Sequence, residues 1–271
     1  MGYLDRYRAG EHEQVWAELV ALGASVRDEP LYSNALAVAH ETMRRARHNI
    51  EVLIPRLREL GYRFGYEGIW QGEGEYDPPV FTPPAPGVDA IIAAAERRCG
   101  ALPLSLRAFY EVVGSVNFVG TPPERWGFQG DDRYTLDPLY VHGAYAARDG
   151  APAWEDVYGG TTDDEWDLQS LDEEDPCDGC AYHALPHGCF LVPIAPDECF
   201  KYGFSGCGNY EIAIPNVAAD ARLLTESHRT TFVNYLRICF RWGGLPGFER
   251  TPTPHPPLPD LAYLTEGLLP L

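Results

Sequence analysis

The sequence predicts an α+β protein. Three observations carry that reading. Apolar residues recur at helical spacing through most of residues 1–70 and again over 88–114. Short β-like runs follow at 116–119, 139–141, 190–194 and 210–214. One more amphipathic helix closes the pattern at 231–241. Helices come first, then strands, then a helix, which is the order of segregated layers rather than of alternating βαβ units.

Glu11 to Leu22 places Val15, Trp16, Leu19, Val20 and Leu22 on one helical face. A longer helix follows, with Ser33 as its expected N-cap and Gly61 as its stop. Leu36, Met43, Ile50 and Leu57 stand seven apart, and Ala39, Ala46, Leu53 and Leu60 lie three further on. That is an a/d heptad pattern over four repeats. It fits an antiparallel helix pair packed on the main domain, or a coiled-coil homodimer. Pro55 is expected to kink or split this helix, because its ring clashes with the carbonyl of Glu51. The 1–70 segment holds ten acidic and nine basic residues and is nearly neutral.

Residues 71–87 contain five prolines and three glycines and read as an extended linker. Asp89 to Cys99 reads as a helix with Val88, Ile91, Ile92 and Ala95 inward. After Gly100-Ala101-Leu102-Pro103, Ser105 is expected to cap a helix carrying Leu106, Phe109, Tyr110 and Val113, stopped by Gly114. The closing helix, Thr231 to Arg241, turns Phe232, Tyr235, Leu236, Cys239 and Phe240 inward and ends at Gly243-Gly244. The main domain is thus expected over 88–250. Residues 251–271, with five prolines between Pro252 and Pro259, read as a tail.

Composition narrows the function. The 271 residues carry 40 acidic and 21 basic groups, a net charge of −19. A nucleic-acid binder needs a basic footprint, and an anionic membrane surface would repel this chain. No apolar run reaches the roughly 18 residues that span a bilayer, and the N-terminus lacks the order of a secretory signal. A cytoplasmic protein is expected. Acid is concentrated: residues 131–178 hold fifteen acidic groups against Arg133 and Arg148, a net of −13. Asp163, Asp164, Glu165, Asp167, Asp172, Glu173, Glu174 and Asp175 form the densest clusters, with Trp166 among them. Such a run is either a solvated loop or a contact surface for a basic protein, and aromatic anchors within charge favour the second.

Seven cysteines without a signal read as thiols or metal ligands. Cys177 and Cys180 form a CxxC pair, followed by His183, His187 and Cys189. A zinc ion could take four of these, with the glycine inside CxxC easing a tight knuckle. Without zinc they are ordinary thiols, or Cys177 and Cys180 a redox pair. The Gly-rich KYGFSGCGNY leads into a strand and reads as a hairpin turn rather than a phosphate cradle. Lys201 is the chain's one lysine, a compact ammonium where arginine is otherwise the rule. His12, His40, His48, His142, His228 and His255 are scattered and read as surface or helix-side groups.

The stretch from Ile92 to Val119 combines Glu96, Gly100, Leu102-Pro103, Leu106, Phe109-Tyr110, Gly114 and Asn117. A later one runs Phe190-Leu191-Val192-Pro193-Ile194-Ala195, a Gly-containing turn, then Tyr210-Glu211-Ile212. Together they resemble the SUKH superfamily, which includes yeast cell-wall-assembly regulators and bacterial immunity proteins. The resemblance covers about residues 88–245. It implies an α+β domain with a mixed or antiparallel sheet flanked by helices. It also implies a non-catalytic protein that binds and neutralises a toxin, often a nuclease. The N-terminal helices and the acidic, cysteine-bearing insert depart from the small members. A regulatory scaffold without a toxin, or a zinc enzyme on the Cys177–Cys189 cluster, are the alternative functions.

Overall fold

The computed structural model describes residues 2–65, 79–128, 135–149, 151–152, 189–202, 208–250 and 260–271. It is α+β, with small antiparallel sheets flanked by helices. Helices α1 (Tyr3–Arg8) and α2 (His12–Ala21) lead into α3 (Leu31–Glu59). Then come α4 (Val88–Cys99), α5 (Leu104–Val112) and the short α6 (Ala144–Asp149). α7 (Phe232–Arg241) and α8 (Leu261–Thr265) close the chain.

The heptad seam of α3 is real but wider than a coiled coil requires. Buried residues include Met43, Ile50 and Leu57 at a, and Ala39, Ala46 and Leu53 at d. Ala35, Thr42 and Asn49, seven apart beside that seam, are buried as well. A stripe of that width seats a helix in a domain core, whereas a two-helix seam needs a and d alone. The face is covered by the chain itself: α5 packs along it, with α1 and α8 alongside. The a/d seam of α3 is thus buried within the chain, chiefly against α5. Pro55 does not split α3. Its ring is exposed and Glu51 is exposed beneath it, so water can serve the carbonyl that loses its partner. Ser33 lies inside the helix rather than at its start, and its hydroxyl donates to Glu29 Oε1 at 2.7 Å. Pro30 occupies the N-cap position instead. On α2, Val15, Trp16 and Leu19 are buried as expected, but Val20 is exposed.

The order helix, Leu-Pro, helix, glycine, strand is observed over 88–117. Ser105 is within α5, and its hydroxyl donates to buried Asp220 at 2.6 Å rather than capping the helix. Asp220 also accepts from the Val233 N–H at 3.1 Å, so one carboxylate ties the start of α5 to the start of α7. Gly114, at φ +95°, turns the chain into β3 (Ser115–Asn117). A Cβ there would stand 2.2 Å from the Thr82 carbonyl oxygen. That close approach lets β2 (Phe81–Thr82) pair with β3, and β3 pairs in turn with β5 (Tyr140–Val141), both antiparallel. β1 (Arg63–Phe64) pairs with β4 (Gly120–Thr121). The third sheet orders β6 (Ala151–Pro152), β7 (Phe190–Pro196) and β8 (Asn209–Ile214). The His142 N–H donates to the Ile194 carbonyl at 2.7 Å and links β5 to β7.

One hydrophobic core runs from Tyr7 to Leu271. Residues on both sides of 71–87 contribute to it, the larger share coming from after, so the N-terminal helices are built into the fold. The expected 71–87 linker is corrected at its end, where Phe81–Thr82 forms β2 and Val80 and Phe81 pack against the core. The end of the chain departs from the expected tail. Residues 260–271 pack on α3, with Leu264 and Leu271 buried. Among the described residues no helix is long and apolar enough to cross a membrane.

Gly114 and Gly127 both have positive φ, but nothing lies within 4 Å of a Cβ at Gly127. We expect Gly127→Ala to cost about 1 kcal/mol, from backbone strain alone. Gly114→Ala adds a backbone clash and should cost about 3 kcal/mol or more. Urea midpoints of the two variants check the contrast.

Candidate functional site

The chain's one lysine lies at the centre of a buried polar network. Lys201 is on a 3-10 turn, Phe200–Tyr202, in the β7–β8 connection, and is fully buried. Its Nζ donates to Asp137 Oδ1 and sits 5.0 Å from the centroid of the Tyr210 ring. The Tyr210 hydroxyl reaches Asp137 Oδ2 at 3.1 Å and also Glu198 Oε2, so one phenol bridges two carboxylates. The Ser227 hydroxyl donates to Glu198 Oε1 at 3.0 Å. Next to Ser227, Glu226 is buried and accepts from the backbone N–H of His228 at 3.0 Å and faces that ring's Nδ1. Four segments of chain, around residues 137, 200, 210 and 227, are thereby tied together.

Local structure sets up this convergence. Asp197 accepts from the Phe200 N–H at 2.7 Å and the Gly208 N–H at 2.6 Å, pinning both ends of the connection that carries Lys201. Asp137, Thr225 and Arg229 have positive φ, and they are the non-glycine residues that do so among those described. Each belongs to a segment of the network. Such conformations persist only where surrounding contacts over-determine them.

Electrostatics follow from burial. Burial pushes the Asp137 carboxyl above the usual range; Lys201 opposes that, while Glu198 and Glu226 add to it. Burial likewise raises the Tyr210 hydroxyl, with Asp137 and Glu198 reinforcing it. The Tyr235 hydroxyl and the Cys239 thiol are raised too, chiefly by burial. His142 is pushed down to about 4, by burial first and by Lys201 second. His142 and His228 are both part-buried, His228 with its ring against Glu226, rather than the surface groups expected of them. The amine of Lys201 is sealed and ion-paired, so it ties the loops of the network together.

The network adjoins the acid-rich stretch. Ala151 pairs with Leu191 and Pro152 with Phe190, so the residues flanking 153–188 are partners in one antiparallel ladder. Of the fifteen acids counted over 131–178, Asp137 is spent inside the fold. Asp163, Asp164, Glu165, Trp166, Asp167, Asp172, Glu173, Glu174 and Asp175 lie outside the described residues, as do Cys177, Cys180, His183 and His187. Cys189 is described: it is buried just before β7, and burial raises its thiol. Among the described residues no group of three or more His, Cys, Asp or Glu side chains could hold a metal ion. Asp137, Glu198 and Glu226 went unmarked in the sequence, while Tyr210 was marked only as a strand residue and His228 only as a surface or helix-side group. The one available signal was the singular lysine in the glycine-rich turn.

No family model, no curated protein and no solved structure matches this chain. Its class is therefore defined by the fold itself: an α+β protein with a buried lysine–carboxylate network beneath the β7–β8 connection.

Removing Lys201 leaves Asp137 unpaired in the interior. Lys201→Met should cost about 3–5 kcal/mol, and adding Asp137→Asn should recover much of that loss. Urea unfolding of the single and double variants measures both. A pH effect follows from His142. The unfolded imidazole titrates near its ordinary 6.5, while the folded one stays neutral down to about 4. The unfolded chain thus takes its proton first, and stability falls as pH drops from 6.5 towards 4, by about 3 kcal/mol. His142→Gln should flatten that slope in unfolding curves taken across the range.

Proposed function

We propose that this chain is a protein-binding module that captures a basic partner through its acid-rich stretch. In the reading that the SUKH resemblance implies, that partner is a toxin, of the nuclease class, which the chain neutralises. The observation that carries the proposal is how charge is shared between the fold and the stretch. On the described surface, carboxylates sit with arginines: Glu11 and Glu18 with Arg6, Glu41 with Arg44 and Arg45, and Glu51 with Arg47. Arg107 holds both Glu96 and Glu111, Arg125 holds Asp260 and Arg241 holds Glu249. Most of the −19 is left to residues 131–178.

A nuclease must present cations to hold phosphates. An inhibitor offering carboxylates competes for that same surface, and complementary fields accelerate the encounter. The β6–β7 ladder supports the reading, because it brings the two ends of 153–188 together on a buttressed base. A partner can then be engaged without disturbing the core. Cytoplasmic action on a toxin fits the same picture.

Neutralising Asp163, Asp164, Glu165, Asp172, Glu173 and Glu174 to their amides should abolish retention of a basic protein in a low-salt pull-down. If these acids serve recognition rather than the fold, the unfolding transition should stay within about 0.5 kcal/mol of the natural chain. Equal retention by both forms would reject the acidic recognition face. The retained protein is then assayed for nuclease activity with and without this chain.

A further inference from the structure

The chain contains 21 basic residues, and Lys201 is the one that is not arginine. A guanidinium keeps its charge in proteins, whereas an ammonium that gives up a proton becomes a nucleophile. Among the described residues Lys201 is also the one basic side chain that the fold buries. Its Nζ is in direct contact with Asp137 Oδ1, and the Asp137 side chain is only 1% exposed. The other oxygen, Oδ2, lies 3.1 Å from the Tyr210 hydroxyl. That phenol has a second acceptor in Glu198, so its proton can be turned to either carboxylate. Tyr235, fully buried, packs edge-on against Tyr210 with ring centroids 6.2 Å apart. An amine, a carboxyl and a donor to that carboxyl are thus held together in the protein interior.

Two physical effects favour condensation of such a pair. Reactants held in contact behave as if at effective concentrations on the order of 10⁵ M or more. Burial also penalises the ammonium and the carboxylate as charges, and it pushes the Asp137 carboxyl up towards its protonated form. The amide that condensation leaves carries neither charge.

We propose that Lys201 Nζ and the Asp137 carboxyl condense to a side-chain amide with loss of one water. The ion pair described above is the reactant state. One proton passes from Nζ to Oδ1, and the freed lone pair attacks Asp137 Cγ, forming the C–N bond. The Tyr210 hydroxyl donates to Oδ2 as negative charge grows there. A second proton follows from nitrogen to Oδ1, the Cγ–Oδ1 bond breaks, and water leaves. An ammonium and a carboxylate have then become one amide and one water, with nothing oxidised or reduced. The bond joins positions 64 apart in sequence, and residues 153–188 lie between them. It closes the base of the acid-rich stretch covalently, whatever that stretch binds.

The test uses the natural full chain, folded and then fully denatured. Its intact mass should fall short of the sequence mass by one water. Lys201 is the only lysine, so a lysine-specific protease has one place to cut, the Lys201–Tyr202 bond. An amidated side chain should block that cut. Fragmentation should recover the peptides holding Asp137 and Lys201 as one linked species. Tyr210→Phe keeps the ring and removes the donor. Sampled at intervals after cell-free synthesis, it should form the bond about a hundredfold more slowly than the natural chain. An unchanged rate would overturn the part assigned to Tyr210. A chain of full sequence mass that is cut completely at Lys201 would overturn the proposal. So would a loss of water that leaves Lys201 cleavable, because it would place the loss elsewhere, as in cyclisation at Asp149-Gly150 or Asp178-Gly179.

Discussion

The stripe on α3 is the constraint on which the rest of the molecule depends. Ten of its residues are buried, and they face α5, α1, β1 and the 260–271 segment. Two of the ten are polar, and both are used. Thr42 accepts from the Trp16 indole N–H at 3.0 Å, which locks α2 onto α3. Asn49 holds Leu269. A helix of 29 residues could not stay folded on propensity alone with such composition, and the packing of its broad face supplies the stability. Were that face given to a second copy, α5 and the strands that follow it would lose their support.

Against this apolar frame the Lys201 network is costly. Desolvating an ammonium and three carboxylates is repaid only where geometry is good and the remaining lone pairs are met. Here they are met by Tyr210, Ser227, and the backbone and ring of His228. The return is positional. The network fixes where the β7–β8 connection and the 225–228 turn lie, and so fixes β7, whose first residues pair with Ala151 and Pro152. An apolar cluster could fill the same volume, but it would not dictate which loop meets which.

Charge is therefore handled in two ways by one chain. On the described surface it is largely balanced pair by pair, and such exposed pairs contribute little to stability. Within 131–178 it is left in excess. That asymmetry costs self-repulsion, and a net charge of one sign can serve either solubility or the capture of an oppositely charged partner. The binding reading rests on it, and the fold's part is to provide a rigid base.

Much of the fold was legible in sequence. The two helices around Leu102-Pro103, the strands at 190 and 210 and the closing helix all follow from periodicity and from glycine and proline punctuation, which act over a few residues. The heptads of α3 were legible too, but their partner was not, since an apolar stripe specifies burial without saying against what. Its width, marked by Ala35, Thr42 and Asn49, distinguishes a domain core from a dimer seam, and that is a property of the packed helix. The tail was misread because its prolines dominate the local composition, while the leucines after them find their seat on a helix 200 residues earlier. The network was invisible for the same reason. Lys201 stands out as the one lysine, but Asp137, Tyr210 and Glu226 are unremarkable at their own positions, and only the folding of distant loops brings them together. Sequence alone determined the longer helices, the strands at 190 and 210 and the charge asymmetry, because these depend on neighbours along the chain. Tertiary structure decided what each face buries and which charges meet, because those depend on neighbours in space.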